Sequence, residues 1–160
     1  VARHRIGNNE WAERLDSYID MVAQIESEGD AGAYNPSGAM SYFQFKSESI
    51  KTAHNRLLNY YRRHNLGDIP RWSVALYYNP QSVYEVSYNR QAVLMVVNII
   101  EQDRERGTEL FRQFLAGDDQ AGIQAYYRYH HTNPDPFTIS RTERLYEEYF
   151  GDDSQLLAKR

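Results

Sequence analysis

The chain has 160 residues, 41% of them hydrophobic and 25% charged, close to ordinary globular usage, which argues against disorder and predicts one domain spanning residues 1–160. A formal net charge of −4 disfavours broad nucleic-acid binding, which needs clustered Lys and Arg; Arg62-Arg63-His64 is too short a basic stretch to change that. No apolar run approaches the roughly 20 residues that span a bilayer, so no membrane-spanning segment is expected. Cysteine is absent, which removes disulfides, thiolate nucleophiles and Cys-ligated zinc. The start at Val1, without Met or a recognisable secretion signal, suggests a processed or excised domain.

From Trp11, the residues Leu15, Tyr18, Ile19, Val22 and Ile25 follow one helix face, with Asn8 or Asn9 as cap and Gly29 as stop. Residues 29–45 are rich in Gly, Ala, Ser, Asn and Pro and read as a loop with a short irregular hairpin. Ser47 can cap a helix through Ile50, Ala53, Leu57, Leu58 and Tyr61 that stops near Gly67, before the turn Gly67-Asp68-Ile69-Pro70. Asn79-Pro80 signals another start, with a long helix beyond it carrying Val86, Val93, Val97 and Ile100 on one face and ending before Gly107. Because Ala92, Val96 and Ile99 lie beside that face, this helix is expected at the centre of the core.

Thr108 to Ala116, closed by Gly117, predicts a short helix, and Asp118 or Asp119 can cap another through Ala121, Ala125, Tyr126 and Tyr129. Asn133-Pro134-Asp135-Pro136 must break it. Ser140 and Glu143 match a capping box ahead of Leu145, Tyr146, Tyr149 and Phe150, and the tail 151–160 is expected to fray. The fold class is mainly α, with about six or seven helices.

Aromatic residues make up 14% of the chain, with 14 Tyr against 6 Phe and 2 Trp; a ring with a polar tip suits a groove that binds a polar, ring-shaped ligand, or a half-buried helix margin. Glu26 continues the apolar stripe through positions 11, 15, 18 and 22. If that face is buried, desolvation raises the carboxyl pKa and suits Glu26 to donate a proton; if the helix frays first, Glu26 turns to solvent.

The segment Ile25-Glu26-Ser27-Glu28-Gly29-Asp30, followed by Gly38-Ala39-Met40-Ser41-Tyr42-Phe43-Gln44-Phe45, resembles the lytic transglycosylase (SLT-like) family of the lysozyme-like superfamily. There a Glu-Ser pair ends a helix ahead of a Gly-Ala-x-Gly-x-x-Gln stretch. Gly38, Ala39, Gln44 and Phe45 match, and Ser41 replaces the second Gly. The family's later Ala-Tyr-Asn-Ala-Gly stretch has its nearest counterpart in Ala125-Tyr126-Tyr127-Arg128-Tyr129, where Asn and Gly are missing, and His130-His131 is similar to a stretch in some phage-borne members.

The resemblance implies a lysozyme-like domain with a catalytic cleft that cleaves the bond between N-acetylmuramic acid and N-acetylglucosamine in peptidoglycan. Glu26 would protonate the glycosidic oxygen and then, as base, deprotonate the muramic C6 hydroxyl, giving a 1,6-anhydro end. The substrate's N-acetyl carbonyl would stabilise the anomeric carbon, so one carboxylate suffices. Ser27 would orient Glu26; Gln44 and one of Tyr126, Tyr127 or Tyr129 would bind the sugar. No cofactor or metal is implied, the partner is the glycan strand, and the setting would be the bacterial envelope or a phage virion.

Four other readings compete. Glu28 or Asp30 across the cleft would make the protein a goose-type lysozyme-like hydrolase. The departures at Ser41 and at Tyr126 to Tyr129 leave room for a non-catalytic wall-binding or virion module. A metal site has little sequence basis: His-Glu-x-x-His is absent, His130 and His131 are adjacent, and His54 and His64 lie ten residues apart. A serine hydrolase lacks its Gly-x-Ser-x-Gly elbow.

Overall fold

In the computed structural model, which describes residues 8–151, α1 (Asn8–Ser27) ends where the backbone turns left-handed at Glu28 and Gly29 (φ 56° and 77°). The tail 152–160, and with it the predicted fraying, lies outside the described residues. Among the described residues the protein is mainly helical, and its only β pairing consists of isolated bridges. The described residues group into two compact units: residues 26–108, and residues 8–25 with 109–151.

In the unit of residues 26–108, the loop after α1 makes two antiparallel bridges, Tyr34 with Met40 and Met40 with Phe45, which is the irregular hairpin expected there. α2 (Ser47–Arg63) buries Ile50, Ala53, His54 and Leu57, the i, i+3, i+4, i+7 spacing of one helical face. Its cap position is Lys46 rather than Ser47, and the helix ends before His64.

α3 (Arg71–Tyr78) was not foreseen; Pro70 precedes it, and it buries only Ser73 and Leu76. Eight residues with two buried positions leave little periodic signal. Asn79-Pro80 opens a 3-10 segment, Pro80–Glu85, not the long helix. That helix, α4 (Tyr88–Gln102), starts instead at Ser87, whose side chain accepts from Arg90 N.

The buried residues of α4 are Gln91, Ala92, Leu94, Met95, Val97, Asn98 and Ile99. Val93, assigned to the inner face by hydrophobicity, is exposed, because Gln91 and Asn98 occupy core positions through hydrogen bonds. Arg56 of α2 donates to Asn98 Oδ1 at 2.8 Å, and the nearly inaccessible Glu101 pairs with Arg63 and, at 3.0 Å, with Arg104. A polar seam thus joins α2 to α4.

α5 (Arg104–Leu115) begins four residues before the predicted start. Gly107, read as a terminator, lies within it: an added Cβ would sit 3.0 Å from Ile100 Cα and from the Ile99 carbonyl, so glycine permits close backbone approach.

In the other unit, α1 buries Tyr18, Met21, Val22 and Ile25, whereas Trp11 is 42% exposed. At 3.6 residues per turn Glu26 is rotated to the margin of the face centred on Tyr18, whereas Trp11 lies on that face but near the start of the helix, where it is exposed. Tyr18 packs on Phe111 (5.3 Å, edge-on) and Phe114 (5.1 Å), and Phe114 meets Phe150 edge-on at 5.4 Å. The Arg14 guanidinium lies 4.6 Å from the Phe114 ring centre, donates to the Phe114 carbonyl at 2.9 Å and pairs with Asp119.

α6 (Asp119–Tyr129) follows Asp118, as expected. Gly122 on it faces Phe114, and an added Cβ would lie 2.7 Å from the ring. Gly122→Ala should therefore destabilise the protein by about 1–3 kcal/mol, since a buried ring must move to admit it; an unchanged thermal midpoint would show that Phe114 yields freely.

α7 (Pro136–Tyr146) starts at Asp135, whose side chain accepts from Thr138 N at 2.7 Å, with Pro136 in the first turn. Ser140 and Glu143 are interior to this helix and form no capping box. An aspartate cap followed by proline preempts the later signal. The hydrogen bonds from Thr138 hold the Asp135 carboxyl below its ordinary pKa. A π turn, Glu147–Gly151, closes the described chain.

Candidate active site

Glu26 and Ser27 form the last two residues of α1. Glu26 is half-buried and makes interactions of its own, and Ser27 is buried, its carbonyl accepting from Asp30 N at 3.1 Å. Glu26 stands at the margin of the buried stripe rather than within it. Glu28 and Asp30 are exposed, and Asp30 Oδ1 accepts from Gly32 N at 2.8 Å.

The loop that follows has a regular backbone feature. Gly38, Ser41 and Gln44 all adopt positive φ, at 97°, 63° and 54°. These are the first Gly, the replaced Gly and the Gln of the Gly-Ala-x-Gly-x-x-Gln pattern. A side chain in this region costs roughly 1–2 kcal/mol, so Ser41 and Gln44 are held there by their surroundings.

Hydrogen bonds account for the holding. Ser41 N donates to the Ala33 carbonyl at 2.8 Å and Ser41 Oγ to the Ala31 carbonyl at 2.7 Å. Gln44 Nε2 donates to the Ser41 carbonyl at 2.9 Å and the Ala33 carbonyl at 3.3 Å. Both amide hydrogens are therefore committed to the loop, which fixes the amide orientation and leaves Oε1 as the end of Gln44 able to meet a ligand.

Tyr42, between Ser41 and Gln44, meets Tyr88 edge-on at 5.1 Å, and both rings are half-buried. Phe43 is fully buried, 5.5 Å from Tyr88. Tyr88 carried no separate sequence signal.

Gln91 was missed as well. It is fully buried, and its Nε2 reaches Ser41 Oγ (3.1 Å), the Val83 carbonyl and the Val86 carbonyl (both 3.0 Å), while its Oε1 is buried without a partner. A polar residue at the start of an apolar helix looks like surface until the loop that it binds is in place.

The three tyrosines belong to the other unit. Tyr126 is fully buried; its hydroxyl lies 3.2 Å from His131 Nδ1, and its ring stacks on His130 at 5.9 Å. Tyr127 is half-buried, with burial pushing its hydroxyl pKa up and Thr142 partly opposing, although no hydrogen bond of good geometry forms. Tyr129 is buried, 5.8 Å from the Arg128 guanidinium. Glu26, Ser27 and Gln44 thus belong to one unit and the tyrosines to the other.

No family model, curated protein or solved structure matches this chain. Among the described residues no group of three or more His, Asp or Glu is arranged to hold a metal ion, and no helix is long and apolar enough to cross a membrane.

His54 and Ser73 form a separate buried pair, with Nδ1 to Oγ at 2.8 Å and Tyr77 5.1 Å from the imidazole. Ser73 is fully buried, which removes it as a nucleophile for an external substrate. Burial lowers the His54 pKa below 6.5, the Ser73 contact opposing. Unfolded chains then bind the proton more readily, so this contribution to stability is present above pH 6.5 and lost as pH falls towards the folded pKa. The thermal midpoint should drop between pH 7.5 and 5.5, and His54→Asn should flatten that drop; an equally steep drop in the variant would assign it to other groups.

Proposed function

We propose that the protein is a peptidoglycan lytic transglycosylase that cleaves between N-acetylmuramic acid and N-acetylglucosamine, with Glu26 as acid and then base. The observation that carries this reading is the backbone of the loop after Glu26-Ser27: of the four fixed motif positions, Gly38, Ser41 and Gln44 have positive φ, the substituted position included, and only Ala39 does not. A Gly-to-Ser replacement that keeps a glycine conformation supports the motif as a shared geometry rather than a chance string.

The chemistry follows from one carboxyl group. Neutral Glu26 gives its proton to the glycosidic oxygen while the acetamido carbonyl of the muramic residue closes on the anomeric carbon. The resulting carboxylate then takes the proton from the C6 hydroxyl, whose oxygen displaces the acetamido oxygen to form the 1,6-anhydro ring. Ser27 orients the acid, and Gln44 Oε1 accepts from a sugar N–H or O–H. Peptidoglycan strands, reached in the bacterial envelope or delivered from a virion, are the substrate.

Digestion of purified cell walls tests the reaction. Products one water lighter than their reducing counterparts, read by mass, are expected. Reducing ends would instead assign the chemistry to a goose-type hydrolase, and walls bound but left intact would assign a non-catalytic module.

A further inference from the structure

Two unfavourable features meet at one place in the unit of residues 26–108. Ser41 holds a left-handed backbone that a side chain resists, and Gln91, with which it is bonded, keeps its Oε1 buried and unpartnered. Such outliers persist where the surroundings over-determine them, and they cluster at binding and catalytic positions. A fold selected for stability alone would relieve the first with glycine and the second with an apolar residue.

The bonds run in a chain from the core to the proposed site. Gln91 Nε2 ties Ser41 Oγ to the carbonyls of Val83 and Val86, so one amide joins the loop to the 3-10 segment and to α4. The Ser41 carbonyl in turn takes a hydrogen from Gln44 Nε2. Gln91 therefore stands one residue removed from Gln44, whose Oε1 takes no part in these bonds.

We infer that Gln91 is a positioning residue that acts through Ser41 to hold Gln44 as a fixed hydrogen-bond acceptor for an acetamido sugar. This rests on the glycan reading above. Pinning both amide hydrogens makes Gln44 selective for a donor, the N–H of a 2-acetamido group or a ring hydroxyl, and removes the rotational freedom that binding would otherwise have to quench.

The probe is a β-1,4-linked tetramer of N-acetylglucosamine, titrated into the whole chain well below its unfolding temperature. Gln91→Met, close in shape but unable to donate, should bind it about tenfold more weakly, with the Gln44 and Phe45 amides exchanging about tenfold faster. Ser41→Ala, which removes the tie from the loop side and keeps Gln91 in place, should weaken binding similarly, so the inference survives a Gln91 variant that fails to fold. Gln91→Met combined with Ser41→Gly should regain most of the affinity, because glycine keeps the left-handed turn without the tie; a role confined to core stability would show no such rescue. Unchanged affinity in both Gln91→Met and Ser41→Ala would overturn the positioning role while leaving the glycan reading intact. Failure of the unaltered protein to bind the tetramer would overturn both.

Discussion

Glu26→Gln should reduce cell-wall clearing by a factor on the order of 10²–10⁴, the usual worth of a positioned proton donor or acceptor. The amide preserves shape and some hydrogen bonding but can neither give a proton to the glycosidic oxygen nor take one from the C6 hydroxyl. Because one group serves both steps in the proposed mechanism, no second carboxylate is available to share the work. Glu26 is half-buried at a helix end rather than sealed in the core, so the thermal midpoint should move little. Turbidity of a wall suspension measures the first expectation and a melting curve the second. Full clearing by the variant would remove Glu26 from the chemistry.

Phe114→Ala should cost about 3–5 kcal/mol, the range for deleting a buried aromatic ring. Phe114 is fully buried, touches Tyr18 and Phe150 through ring contacts, and supports the Arg14 guanidinium that pairs with Asp119. For a chain of this length such a loss lowers the melting temperature by roughly 10 °C. Gly122 provides a control within the same contact. Its Cβ position is blocked by the Phe114 ring, so Gly122→Ala is unfavourable alone but should become neutral or stabilising in the Phe114→Ala background, where the cavity accepts the methyl and alanine favours the helix. Additive losses in the double variant would show that the two residues do not share the contact.

Periodic apolar residues made α2 legible: Ile50, Ala53 and Leu57 are all buried. They made α1 legible as well, but Trp11 is exposed near the start of the helix and Glu26 lies at the margin of the buried face, both of which the stripe put too far inside. Prediction failed most at α4, where Gln91 and Asn98 are buried and Val93 is exposed. Hydropathy ranks side chains by their cost in isolation, and that cost vanishes when Ser41, Val83, Val86 or Arg56 supplies the partner. The Ser140-Glu143 capping signal failed because Asp135-Pro136 had already started the helix.

The proposed site divides along the same line. Glu26, Ser27 and the pattern from Gly38 to Gln44 could be read from residue types and spacing, because a glycine-bearing turn and a helix-end acid are local properties of the chain. The role of Ser41 could not, since serine has no intrinsic preference for positive φ; only the hydrogen bonds to Ala31, Ala33 and Gln91 hold it there. Fifty residues separate Ser41 from Gln91, and no periodicity links them. Sequence by itself determined a mainly helical chain and the local motif at the end of its first helix. Tertiary structure alone decided which polar side chains enter the core and which glycine-like turns need no glycine, because both depend on partners distant in the chain.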